Sequence, residues 1–62
     1  MAHSPQYHIG ESVRAIEGEV VKLLDVVDFL KAAGNDELAS VVLAQVQKLI
    51  EAAVTLRVAA SS

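Results

Sequence analysis

Residues 23–46 read LLDVVDFLKAAGNDELASVVLAQV and decide the fold. Apolar residues before Gly34 recur at alternating steps of four and three, and the same rhythm resumes after Asp36. This spacing is typical of the heptad seam of a long helix, and glycine readily adopts the left-handed conformation that ends one. A connection as short as 34–36 makes the two helices antiparallel neighbours. The sequence therefore predicts an antiparallel two-helix hairpin.

The two predicted helices carry more apolar residues than a pair of facing seams requires. Helix 1 has one seam, which consists of Ile9, Val13, Ile16, Val20, Leu23, Val27 and Leu30. Helix 2 has a first seam of Leu38, Val42, Gln45, Leu49, Ala52, Leu56 and Ala59. Beside it runs a second seam of Ala39, Leu43, Val46, Ile50 and Ala53. One seam of helix 2 can pack on helix 1, and the other needs a second subunit.

The surplus apolar residues are therefore expected to form an interface. Helix 1 adds Val21, Leu24, Val26 and Phe29 to this surplus, and Phe29 can either fold over the turn or contact another subunit. The predicted interface residues are Leu43, Val46, Ile50, Ala53, Leu24, Val26 and Phe29.

The boundaries follow from local signals. Residues 1–4 are expected to be a flexible tail, and residues 5–60 to be one hairpin domain. Ser4 can cap a helix that has Pro5 at its first position, although Ser12 is an alternative cap. Helix 1 is predicted over about 5–33, the turn over 34–36, and helix 2 over about 37–60. Asn35 or Asp36 is expected to cap helix 2.

Size and composition indicate self-association. The chain has 62 residues, no cysteine and a 53% hydrophobic content, with a mean hydropathy of +0.43. A domain this small usually needs disulfides, a metal or oligomerisation to be stable. We therefore expect an all-α protein in which the hairpin assembles into a four-helix bundle dimer or a larger helical oligomer.

The charges exclude several classes of partner. The net charge is −3, and the five basic residues are scattered, with Arg57 the one that has no acidic residue three positions away. Nucleic acids and anionic membrane surfaces select clustered Lys and Arg, so neither is expected as a partner. No N-terminal leader pattern is present and no 18-residue window is free of charge, which predicts a cytoplasmic protein without a membrane span.

The only cluster of side chains that could bind a metal ion lies near the N-terminus. His8 and Glu11 share a helical face and, with His3, are weak candidates for a metal site shared between subunits. The alternative is an ordinary polar terminus. The chain has no cysteine and no glycine-rich phosphate loop, and Ser40, on the polar face of helix 2, lies far in sequence from both histidines. We predict no enzymatic activity, no catalytic residues and no cofactor.

Gln45 has two interpretations. It is either a buried amide that fixes the register of an assembly, or an edge residue on a slightly rotated helix 2. The expected function is a structural or adaptor module that binds itself and can also bind another protein.

The predicted hairpin also resembles, in outline only, the small Rop-type hairpin dimers that bind paired RNA loops. This likeness implies a nucleic-acid-linked regulator as one alternative function. A metal-binding oligomer that uses the N-terminal histidines is the other.

Overall fold

The fold is an antiparallel helical hairpin, as the heptad spacing predicts. The structure is a computed structural model that describes residues 5–61, with the side chains of residues 7–61. Helix α1 spans Pro5–Ala32 and helix α2 spans Asp36–Ser61, and the two pack against each other along their length. The helix ends lie within about one residue of the predicted ones. The prediction of a flexible tail over 1–4 lies outside the described residues.

The turn is closed by a regular hydrogen-bonding pattern around Gly34. Gly34 has a φ of 80°, which an L side chain rarely adopts. Its N–H donates to the Lys31 carbonyl at 3.0 Å, and the N–H of Asn35 donates to the Leu30 carbonyl at 2.8 Å. These two bonds define a Schellman motif, so they satisfy carbonyl groups that the end of α1 would otherwise leave unpaired.

Asn35 then caps the second helix. The N–H of Leu38 donates to the Asn35 side-chain oxygen at 3.4 Å, and the N–H of Ala39 donates to the Asn35 backbone carbonyl at 3.1 Å. Asp36 and Glu37 follow in the first turn, where the helix dipole favours negative charge. One glycine and one asparagine therefore reverse the chain.

The packing of α1 confirms its predicted seam. Val13 and Val27 are buried, and the other seam residues are half-buried, namely Ile9, Ile16, Val20, Leu23 and Leu30. Apolar residues of α1 off this seam are exposed, including Val21 and Phe29. The 4–3 spacing therefore identifies the face of α1 that meets α2.

The packing of α2 corrects the predicted seams. The buried residues are Ala39, Val46 and Ala53, with Val42, Leu43, Leu49, Leu56 and Ala60 half-buried. The helix is thus rotated so that its contact face combines members of both predicted seams. Small side chains at Ala39 and Ala53 lie at the centre of this face, where they allow α1 to approach closely. Gln45 is exposed, in agreement with the rotated-helix interpretation.

A cross-helix ion pair joins the two helices near their free ends. The Arg57 guanidinium donates to the Glu17 carboxylate, although the two residues are far apart in sequence. Arg57 therefore has an acidic partner, although no acidic residue lies three positions from it in the sequence. About half of each side chain is exposed to solvent, so the pair contributes at most about 1 kcal/mol.

Candidate functional site

The most prominent surface feature is a set of apolar residues that follow core residues directly in sequence, of which four are exposed and one, Leu43, is half-buried. They form the pairs Val20–Val21, Leu23–Leu24, Val42–Leu43, Leu49–Ile50 and Ala53–Val54. In each pair the first residue faces the other helix, and the second is rotated by about 100° around the helix axis. We call these second residues the lateral patch. Its members are Val21, Leu24, Leu43, Ile50 and Val54.

The lateral patch lies on one side of the hairpin. Val21 of α1 and Ile50 and Val54 of α2 line a single groove of about 350 Å³, together with Glu17 and Arg57. A second groove of about 300 Å³ continues toward the free ends of the helices, and its lining includes Gly10, Arg14, Arg57 and Ala60. Both helices therefore contribute to one face, whose apolar middle is bounded by the Glu17–Arg57 ion pair.

The opposite side of the hairpin carries a second group of exposed apolar residues close to the turn. The helical register places Val26, Phe29, Leu38 and Val41 there, and all four are exposed. Phe29 is the most exposed of them at 71%. We call this group the turn patch. Phe29 is solvent-facing in the hairpin, so it does not fold over the turn.

Charged residues interrupt that opposite side beyond the turn patch. Lys22 and Glu19 form an ion pair at 3.5 Å on α1, and both side chains are largely exposed. The register of α2 places Lys48 on the same side. The lateral side has Gln47 at the corresponding level and Glu51 one turn beyond it. Both sides of the hairpin thus carry charged residues near their centres.

The structure divides the predicted interface residues into three groups. Leu24, Leu43 and Ile50 belong to the lateral patch, whereas Val26 and Phe29 belong to the turn patch. Val46 and Ala53 are buried between α1 and α2, so within the hairpin they contact α1 rather than a partner. The rotation of α2 is the reason for this difference.

Sequence reasoning missed Val54, Leu38 and Val41 as surface residues of these patches. The consecutive apolar pair Ala53–Val54 was the available signal for Val54. For Leu38 the signal was misleading, because its spacing fits the first seam of helix 2, of which the rotated helix leaves Leu38 exposed while Val42 and Leu49 are half-buried.

The N-terminal candidates for a metal site are only partly within the described residues. His8 and Glu11 are exposed on the first turns of α1, and the His8 ring meets the Tyr7 ring edge-on with centroids 5.7 Å apart. His3 lies outside the described residues. Over residues 5–61, no group of three His, Cys, Asp or Glu side chains is placed to hold a metal ion.

Two basic side chains are engaged in ion pairs. Arg57 contacts Glu17, and Lys22 contacts Glu19. Phosphate binding draws on Lys and Arg that form a basic stripe. The pairing of these two residues with carboxylates weakens the positive charge available on the faces where they lie.

Helix α2 is long and apolar enough to be a candidate membrane span. The segment Asp36–Ser61 has a mean hydropathy of 1.3 in its most apolar window, and 17% of that window is buried inside the hairpin. Its middle contains Gln45, Gln47, Lys48 and Glu51. A charged residue at the centre of a bilayer costs roughly 2.5–3.5 kcal/mol on insertion scales. The low burial means that α1 leaves most of the apolar surface of α2 uncovered.

No family model, curated protein or solved structure matches this chain.

Proposed function

We propose that this chain is a small self-associating helical hairpin that acts as a structural or adaptor module in protein–protein interaction. The observation that carries the proposal is the lateral patch, in which Val21 of α1 and Ile50 and Val54 of α2 line one groove. Contiguous exposed apolar surface of this kind usually marks an interaction site.

The thin core of the hairpin supports self-association. The buried apolar side chains of residues 7–61 are small, namely Val13, Val27, Ala39, Val46 and Ala53. A single small core rarely supplies more than about 3–5 kcal/mol of stability. Association would bury further apolar area, which contributes about 25 cal/mol per Å², and so would add the stability that the isolated hairpin lacks.

The turn patch supports the adaptor part of the proposal. It lies on the side opposite the lateral patch, so an assembly through the lateral patch leaves it open. An aromatic residue exposed like Phe29 is the type of side chain that serves as an anchor in protein interfaces. We propose that another protein binds here, and that the chain is neither an enzyme nor a cofactor carrier.

A lipid bilayer is a competing explanation for the apolar surface of α2. The cost of placing Lys48 and Glu51 in hydrocarbon favours a protein partner instead. Co-sedimentation with neutral phospholipid vesicles distinguishes the two. The proposal predicts that the chain stays in the supernatant, and quantitative pelleting with vesicles would contradict it.

The direct test of self-association is the concentration dependence of thermal unfolding. If the folded state is an oligomer, the midpoint of unfolding rises with protein concentration. Circular dichroism at 222 nm from micromolar to millimolar chain should show this rise. A midpoint that is independent of concentration would refute self-association as a source of stability.

The adaptor role needs a separate experiment. Purifications with wild-type and Phe29→Ser baits from the native host are compared, with Val58→Ser as the matched exposed control. The proposal predicts proteins that are lost with the Phe29 variant and retained with the control. Identical sets of proteins from all three baits would contradict a role for the turn patch.

A further inference from the structure

We infer that the lateral patch is the contact surface between two copies of this chain, which pack face to face as a four-helix bundle. This inference rests on the proposed self-association and adds the surface that carries it. In a square bundle, each helix contacts two neighbours that lie about 90° apart around its axis. The lateral patch is rotated by about 100° from the hairpin core on both helices. Each helix therefore has one apolar direction for its hairpin partner and one for a second hairpin.

The grooves distinguish the lateral side from the opposite side. Val21 of α1 and Ile50 and Val54 of α2 line one groove there, and a second groove continues toward the free ends of the helices. Charged residues lie on both sides, since the helical register places Glu51 beside Ile50 and Val54. Removing a charge from water is costly unless it is well paired, so charge alone does not select a side.

The dimensions of the lateral face suit a second copy. Helices of 28 and 26 residues are about 40 Å long, and two adjacent helices present a face roughly 20 Å wide. The resulting area of about 800 Å² equals the area that each partner buries in a standard protein interface. A second hairpin has the same length and width, so it covers this face fully.

The surface relief of the lateral face also suits helix packing. The groove between Val21 and Val54 is about 350 Å³, and the groove beside Gly10 and Ala60 is about 300 Å³. Small residues leave these spaces open between the helices. Protruding side chains of a second copy, such as Leu24 and Ile50, are of the type that fills such holes in helical bundles.

The test compares two glutamate substitutions on α2. Val54→Glu places a carboxylate in the lateral patch, and Val41→Glu places one on the opposite side. The two valines are matched controls for each other, because they are 54% and 56% exposed and each has an acidic residue three or four positions earlier, Glu51 or Glu37. Sedimentation velocity measures the dissociation constant of each variant, and circular dichroism verifies helicity.

We expect Val54→Glu to raise the dissociation constant on the order of 100-fold or more, since an unpaired carboxylate buried in an interface is strongly destabilising. Val41→Glu should leave the constant within about threefold of wild type, in the range typical of surface substitutions. If Val54→Glu loses its helicity, Val21→Glu on α1 makes the same test from the other helix.

The other outcomes distinguish a failure of the proposed self-association from a failure of the lateral patch as its contact surface. A wild-type chain that is monomeric throughout would refute the proposed self-association, and this inference with it. A wild-type oligomer that survives both Val54→Glu and Val21→Glu would leave self-association standing and refute the lateral face. Dissociation by Val41→Glu alone would assign the interface to the opposite side.

Discussion

Truncation of Val46 tests the packing of the hairpin directly, because this side chain is 1% exposed at the centre of α2. Val46→Ala removes two methyl groups. Each buried methylene-sized group contributes about 0.8 kcal/mol, and the cavity left behind adds to the loss. We therefore expect the free energy of unfolding to fall by about 2 kcal/mol. For a domain of this size, that corresponds to a decrease of about 8–16 °C in the midpoint of thermal unfolding.

Val41→Ala is the matched control, since it makes the same chemical change on the same helix at a side chain that is 56% exposed and lies outside the lateral patch. Alanine favours helix slightly more than valine does, so this variant should unfold within about 0.5 kcal/mol of wild type. Both variants are unfolded at one chain concentration and followed at 222 nm, because association also affects stability. Equal destabilisation by the two substitutions would show that α2 does not present Val46 to the core.

Three further substitutions test the turn, the solvent face and the cross-helix ion pair. Gly34→Ala forces an L side chain into a φ of 80°, so it should destabilise the hairpin by about 1 kcal/mol or more in urea unfolding, and an unchanged midpoint would argue against the left-handed turn. Gly18→Ala adds a Cβ that has nothing within 4 Å in the middle of α1, and it should stabilise by about 1 kcal/mol through helix propensity alone; a loss of stability would mean that this side of α1 is covered. Glu17→Gln removes the partner of Arg57 and should cost at most about 1 kcal/mol at low salt. That cost should shrink in 1 M salt, where the Debye length is about 3 Å, and a larger loss that persists in high salt would show that the pair acts by more than surface electrostatics.

The sequence was sufficient to predict α1 and the turn. The seam from Ile9 to Leu30 is correct because its apolar residues recur along the whole of α1, whereas the surplus apolar residues off the seam, from Val21 to Phe29, are confined to the second half of the helix. Gly34 and Asn35 are equally informative, since the lack of a Cβ at Gly34 and the capping side chain of Asn35 determine the local backbone and need no distant contact.

The rotation of α2 could not be predicted in the same way. Apolar residues occupy adjacent positions along it, as in Ala39 beside Leu38 and Ile50 beside Leu49. An apolar stripe this wide allows α2 to bury a similar apolar area at several rotations about its axis. The selection of Ala39, Val46 and Ala53 depends on how closely α1 can approach, which is a property of the packed pair and not of either helix alone.

The Glu17–Arg57 ion pair was missed for a related reason. The two residues are brought together by the register of the hairpin, whereas sequence inspection compares charges three or four positions apart on one helix. The same register places Val21, Ile50 and Val54 around one groove. The lateral patch is therefore visible in the sequence only as consecutive apolar pairs, and its continuity across two helices requires the structure.

The central claim, that this hairpin functions as an assembly of copies, is tested most directly by the mass of the protein in solution. Size-exclusion chromatography with light scattering is measured from low micromolar to millimolar chain. We predict a mass of twice the chain mass of 6.6 kDa, or a higher whole multiple, that persists on dilution. A constant mass of 6.6 kDa at every concentration would contradict the claim and would mean that the apolar face is covered by a different molecule.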